Sequence, residues 1–303
     1  MKMDNDELSE KEMWAQLPKL DPVDRAEMLL QLSQKAAGRN RPKDALALAN
    51  QAGDLLQSCA GPETLVLKAL SAESEYLAIL DRKDEAILAL DKVLEISRQE
   101  SDPFIDDLLR KQAAWFGDLG DWESALNCQL EAIQVNEIDG DQKWLARSFY
   151  LAGTCYQQMF KCREAIEYYK KARTTFKAEC IYDQVGWCDL WIAECYTQLG
   201  AGEDALSYAV RALELSRMLN RSYWITCSLI VVGKANYLVG QYQRAEEALD
   251  EANALLTSEP EMNWSLLVEV NEELIKIYQA SDRFDLADEI EGRVRTIKEI
   301  MED

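Results

Sequence analysis

One alanine, recurring at an almost constant interval, limits what this chain can fold into more than any other feature. The segments KDALALANQA, DEAILALDKV, ESALNCQLEA, CREAIEYYKKA, EDALSYAVRA, RAEEALDEA and DLADEIEGRV each lead a polar or acidic run into an alanine: Ala45, Ala86, Ala125, Ala165, Ala205, Ala245 and Ala287. Successive anchors stand 41, 39, 40, 40, 40 and 42 residues apart. Spacing this even does not arise from unrelated helices joined by loops of arbitrary length. The chain is an array of seven repeats, each of which needs its neighbours to bury an apolar face.

Other positions keep the same register. Five residues before each anchor stand Asn40, Asp81, Gly120, Phe160, Gly200, Gly240 and Asp282. Six of the seven are Gly, Asn or Asp, the types that tolerate the left-handed backbone closing a helix, so a helix is predicted to end there. Twelve before the anchor come the small Ser33, Ser74, Ala113, Gly153, Ala193 and Gly233, with Ile275 as the exception; nine before come Ala36, Leu77, Phe116, Tyr156, Tyr196, Asn236 and Tyr278. Seven after the anchor a small or aliphatic residue returns, as at Ala52, Val93 and Ala172. Small and aromatic side chains three apart suit closely packed antiparallel helices. Each repeat therefore reads as two helices of about 15 to 17 residues with short turns.

This order of small, aromatic, turn, Ala, large, Ala resembles the tetratricopeptide repeat, most fully in GTCYQQMFKCREAIEYYKKA. The commonest form of that repeat has a period of about 34 residues, and the forty-residue period here is similar to the longer-helix variety of kinesin light chains and spindle-orientation adaptors. The resemblance covers about residues 26–300. It implies an all-α, right-handed superhelical solenoid of about seven antiparallel helix pairs, forming one domain over 26–303. Residues 1–25 precede it, and Met13, Trp14 and Leu17 there can form a short capping helix delimited by Pro18 and Pro22.

Composition narrows the function. No apolar run approaches the roughly 20 residues that cross a bilayer, and the first residues, MKMDNDELSE, have neither the basic start nor the apolar core of a signal peptide. No membrane association is expected. The net charge is −22, spread as −6, −6 and −10 over residues 1–100, 101–200 and 201–303. A phosphate backbone needs a basic face, so nucleic acid is excluded as a partner. The acidity either keeps a long surface soluble or attracts a basic partner. Eight cysteines contain no CxxC pair, and no histidine exists to complete a metal site. Free, reduced, structural thiols are expected, which points to the cytoplasm. Without histidine there is no Ser–His or Cys–His nucleophile, and neither GxxxxGK[ST] nor GxGxxG occurs. No catalysis, cofactor or metal is expected.

Function then falls to surface that the hairpin packing does not use. In a stack of such hairpins the first helix of each pair lines the concave face. The positions left free there are Arg110 and Lys111 in the third repeat; Arg147, Tyr150, Thr154, Gln157 and Gln158 in the fourth; Trp187, Trp191, Glu194 and Gln198 in the fifth; and Ile230, Lys234 and Tyr237 in the sixth. Trp187 and Trp191 share a helix face at i, i+4. Basic side chains kept there on an acidic chain point to an acidic ligand group. Trp144, Trp187, Trp224 and Trp264 all fall near the start of a first helix and can equally fill gaps between repeats. The best-known ligand mode of the family clamps a C-terminal carboxylate of heat-shock chaperones with Lys and Asn on one first helix, Asn on the next, and Lys and Arg on the third. Here the corresponding pairs are Arg110 and Ala114, Tyr150 and Thr154, or Leu190 and Glu194, which do not reproduce it.

The sequence thus reads as a non-enzymatic adaptor that binds a protein or peptide segment in a groove between repeats three and six. Two other readings stay open. One is a regulatory sensor of a short signalling peptide, similar to bacterial or phage regulators built from such repeats; the other is a self-assembling structural protein that forms homo-oligomers through its terminal repeats.

Overall fold

A computed structural model describes residues 9–100, 105–258 and 263–302. Among these residues only helices and turns occur. The short α1 (Glu10–Gln16) opens with a capping box, in which Ser9 and Glu12 satisfy each other's backbone N–H groups, and a 3₁₀ turn over Leu17–Lys19 follows. Fourteen longer helices then come in pairs, one pair per anchor alanine. They are α2 (Pro22–Gly38) with α3 (Pro42–Ser58), α4 (Glu63–Ile79) with α5 (Lys83–Glu100), and α6 (Ile105–Asp118) with α7 (Trp122–Asp139). After these come α8 (Gln142–Gln158) with α9 (Cys162–Ala178), α10 (Tyr182–Gln198) with α11 (Gly202–Met218), α12 (Ser222–Leu238) with α13 (Tyr242–Ser258), and α14 (Trp264–Ala280) with α15 (Phe284–Glu302). Helices of this length that pack together across three-residue turns must run antiparallel.

The turns inside the pairs are made alike. All seven residues five before the anchors take a positive φ, from 57° at Asn40 to 79° at Gly120, and Phe160 does so at 58°. The following amide bonds back to the carbonyl nine before the anchor, as from Lys161 to Tyr156 at 2.9 Å and from Gln241 to Asn236 at 2.8 Å. The left-handed residue itself bonds to the next carbonyl, Phe160 to Gln157 at 2.9 Å and Gly240 to Tyr237 at 3.0 Å. This paired bonding closes the otherwise unsatisfied carbonyls of a helix end and reverses the chain.

The chain divides into two compact units, residues 1–135 and 136–303. In the first unit, Met13 of α1 is buried with Leu29, Leu32, Ala45 and Leu56 of the first pair, while Trp14 stays largely exposed. The buried Gln112 of α6 donates to Asp91 of α5 at 2.5 Å and accepts from the Cys128 thiol of α7 at 3.2 Å, so both ends of its amide are matched.

In the second unit, sequential helices α8 to α15 pack each on the next. All seven anchor alanines of the chain are at most 2% exposed. The small residues twelve before the anchor matter where they meet a large partner. A Cβ on Gly153 would lie 2.8 Å from the Tyr169 ring, and one on Gly233 would lie 2.7 Å from Leu249. Tyr169 is completely buried; its hydroxyl donates to Gln157 at 2.7 Å, with the Thr154 hydroxyl 3.3 Å away. Asp189 of α10 is also buried, and burial pushes its carboxyl up, while Arg173 of α9 at 2.7 Å and Arg211 of α11 at 3.5 Å favour the charged form.

Candidate functional site

The first helices of the four pairs in the second unit, α8, α10, α12 and α14, together line a cleft of about 320 Å³. That volume is at the lower end of the roughly 300–1,000 Å³ usual for ligand pockets. Leu190, Ile230 and Val231 form a buried apolar floor, and Trp187, Trp191 and Tyr223 supply aromatic walls. Trp187 and Trp191, one turn apart on α10, stack with ring centres 6.3 Å apart and planes 16° from parallel. Trp224 meets Trp187 edge-on at 4.7 Å, and Tyr223 lies 6.4 Å from it.

Trp191 is held from beneath. Its indole N–H donates to the Tyr150 hydroxyl of α8 at 2.9 Å, and the Tyr150 ring rests 5.6 Å from the buried Tyr169 ring. Burial pushes the Tyr150 phenol up to about 12, and the Trp191 hydrogen bond only partly offsets this. The phenol therefore keeps its proton at neutral pH. An indole fixed by packing and a hydrogen bond presents its face without losing further side-chain freedom on binding.

One end of the cleft is charged. Lys234 of α12 donates to Glu269 of α14 at 2.7 Å and to Glu194 of α10 at 3.2 Å. The Lys234 side chain is only 17% exposed. Burial alone would lower its pKa, but the two carboxylates outweigh burial and hold the ammonium well above the ordinary lysine value. Glu194 and Glu269 both line the cleft, whereas no lysine or arginine does among the described residues. Cys227 lines it too, with its thiol pushed up to about 11 by burial.

Of the side chains expected on the groove, the cleft therefore brings together Trp187, Trp191 and Glu194, along with Gln157, Gln198 and Ile230. Lys234 and Tyr237 line an adjoining depression that shares Glu194 and Gln198 with it and adds Glu273, which is paired with Lys276 at 2.7 Å. Tyr150 and Thr154 are half-buried and line neither opening: one supports Trp191, and the other faces the Tyr169 hydroxyl. Gln158 is exposed and lines neither opening, and Arg147 lies 5.9 Å over the Trp144 ring. Arg110 and Lys111 belong to the first unit. Arg110 pairs there with Asp107, and Lys111 with Glu75 at 2.8 Å and Asp107 at 3.5 Å.

The basic side chains that pointed to an acidic ligand are thus taken up by carboxylates of the chain itself, except Arg147, which covers an aromatic ring. Tyr223, Cys227, Leu266 and Glu269 were not among the residues read from sequence. The register does contain a signal for two of them. Eighteen residues before the anchor stand Arg147, Trp187, Cys227 and Glu269 in successive repeats, so extending the position of Trp187 by one and two repeats finds the other two cleft residues.

Among the described residues no group of three or more metal-ligating side chains occurs, and no helix is long and apolar enough to cross a membrane. The arrangement offers aromatic faces, an apolar floor and fixed carboxylates, which can hold a ligand.

Residues 105–178 match the model of the tetratricopeptide repeat. No curated protein sequence matches the chain. Among solved structures, a signal transduction ATPase with a tetratricopeptide repeat sensor from Pyrococcus horikoshii is similar with a TM-score of 0.70 at 17% identity, over 94% of this chain and 43% of that one. A kinesin light chain-type repeat protein from Podosopora anserina gives 0.56 at 16% identity, over 64% and 94%. A Rap protein, solved in complex with competence and sporulation factor, gives 0.58 at 20% identity, over 93% and 78%. At these identities the likeness is one of fold. Residues 105–178 thus match the tetratricopeptide repeat, and seven hairpins closed by the same left-handed turn give the chain a tetratricopeptide-like fold, structurally similar to kinesin light chain-type repeats and a Rap protein.

Proposed function

We propose that the second unit binds an extended peptide segment of another protein in the cleft lined by α8, α10, α12 and α14, and that the chain serves as a non-enzymatic interaction adaptor. The observation that carries this reading is the pair of stacked indoles, Trp187 and Trp191, half-exposed over an apolar floor and locked by Tyr150. Aromatic anchors in pre-formed pockets supply most of the energy of peptide and protein interfaces. The tetratricopeptide fold commonly mediates protein and peptide binding and is usually non-catalytic, and the cleft contains no activated nucleophile: burial holds the Cys227 thiol in its protonated form. Eight cysteines, none of them in a disulfide among the described residues, fit a reducing compartment, and we assign the adaptor to the cytoplasm on that ground.

A regulatory sensor of a short signalling peptide is the second reading. It is supported by the similarity over 93% of this chain to a Rap protein solved with competence and sporulation factor. Both readings use the cleft and differ in what binding does afterwards.

Selection from a displayed random octapeptide library tests the cleft directly. Cys227→Trp adds an indole to the lining of the cleft, which Cys227 shares with Trp187. Peptides enriched on the wild-type protein are expected to lose binding to this plugged variant while its helical circular dichroism is unchanged. Peptides that bind both proteins equally would place the interaction elsewhere and end the reading.

A further inference from the structure

Resting on the peptide-binding reading above, we infer that the cleft recognises an arginine side chain, presented by a basic segment of the partner. The charges on its walls carry the argument. Glu194 and Glu269 both reach the cleft, and one ammonium, Lys234, serves the two of them from the adjoining depression. Two carboxylates against one cation leave a negative charge uncompensated. Glu269 keeps part of its side chain exposed and has accepting capacity beyond its single bond to Lys234. The chain as a whole carries −22, which attracts a basic partner at long range.

The aromatic walls select the same sign. The faces of Trp187, Trp191 and Tyr223 are electron-rich and attract a cation placed over them, tryptophan most strongly. Tyr223 is 51% exposed and Trp187 is partly exposed, so both remain open to a ligand. A carboxylate brought to this place would meet Glu194, Glu269 and the negative ring faces together. An apolar side chain would leave the second of the two negative charges uncompensated and cost it hydration.

Among cations the geometry favours guanidinium. Its planar, weakly hydrated group stacks on an indole face and its fork fits a carboxylate in two parallel hydrogen bonds, whereas an ammonium is a compact, strongly hydrated charge that does neither well. The apolar floor of Leu190, Ile230 and Val231 suits the methylene stem. Lys234 then acts as a fixed positioning residue. Its bonds to both carboxylates hold them from opposite helices, α10 and α14, in the place where the guanidinium would enter.

The test uses the octapeptides selected on the wild-type protein and rejected by Cys227→Trp, each labelled and titrated by fluorescence anisotropy. Every such peptide is expected to carry an arginine. Replacing that arginine by citrulline, which keeps the shape and loses the charge, should weaken binding by about tenfold or more, and lysine should fall between the two. Glu269→Gln should weaken the arginine peptide to a similar degree and reduce the difference between arginine and citrulline. Glu194→Gln provides the same comparison if Glu269→Gln does not melt as the wild type does. Cleft-dependent peptides that lack arginine, or that tolerate citrulline or lysine without loss, would overturn the arginine assignment and leave peptide binding standing. Finding no cleft-dependent peptide at all would overturn the peptide-binding reading and this inference with it.

Discussion

The indole N–H of Trp191 and the hydroxyl of Tyr150 form a 2.9 Å hydrogen bond between α10 and α8, joining residues forty-one apart in sequence. Tyr150 thereby sets the orientation of an aromatic wall without lining the cleft itself. Tyr150→Phe keeps the ring against Tyr169 and leaves the indole N–H without its acceptor, so it should lower stability by about 1 kcal/mol. The effect should be local. In a ¹⁵N spectrum the Trp191 side-chain N–H resonance is expected to move and exchange faster with solvent while backbone resonances of α15 stay in place. An unchanged indole resonance would mean the hydrogen bond is absent in solution.

Phe160 occupies the left-handed turn position that Gly200 and Gly240 fill in later repeats, with φ at 58° and the side chain 87% exposed. A residue with a Cβ carries a penalty of roughly 1–2 kcal/mol in that conformation, and an exposed ring gains little packing to offset it. Phe160→Gly should therefore stabilise the protein by about 1 kcal/mol, a rise in melting temperature of about 2–4 °C. Calorimetry on the two proteins checks it, and a lower melting temperature would show that the ring makes contacts in solution that stabilise the turn.

The contrast between these two sites shows what the sequence makes legible. Turn positions are local: the backbone closing a helix needs only the residue at that place, so a column of Gly, Asn and Asp marks it even when Phe160 interrupts the column. Crossing points are nearly as plain, since Gly153 has to be small because Tyr169, sixteen residues on, fills the space beside it. The cleft is less legible. Whether a first-helix side chain such as Tyr150 or Thr154 faces outward depends on what the neighbouring helix places beneath it, here the Tyr169 hydroxyl and ring. The charge of the site depends on contacts more distant still, because the partners of Lys234 lie forty residues before it and thirty-five after it.

Buried thiols give the protein a characteristic response to alkali. Burial pushes Cys155 and Cys227 up to about 11, from an ordinary value of 9.0. The native state holds these protons more tightly than the unfolded chain does, so their contribution to stability is complete below about pH 9 and is lost as the pH rises through 11. Melting temperature should fall over that interval, and Cys155→Ala should fall less than the wild type. Reactivity offers a second reading of the same property. At pH 8 roughly one thiol in a thousand at each of these two sites is ionised, so iodoacetamide should modify the exposed Cys180 well before Cys155 or Cys227, as peptide mass spectrometry would show. Equal rates at the three sites would contradict the burial.

Lys234 gives the sharpest electrostatic test, because it bonds to two carboxylates while little of it reaches solvent. Lys234→Met keeps much of the volume and removes the charge, leaving Glu194 and Glu269 facing one another across the place the ammonium held. Removing one partner from such a group should cost about 2 kcal/mol at pH 7. Adding Glu194→Gln to Lys234→Met should recover part of the loss, because it removes one of the two facing charges. Melting curves of the three proteins at pH 7 decide the matter: a deficit that Glu194→Gln does not relieve would mean that Lys234 contributes through the packing of its stem and not through its charge.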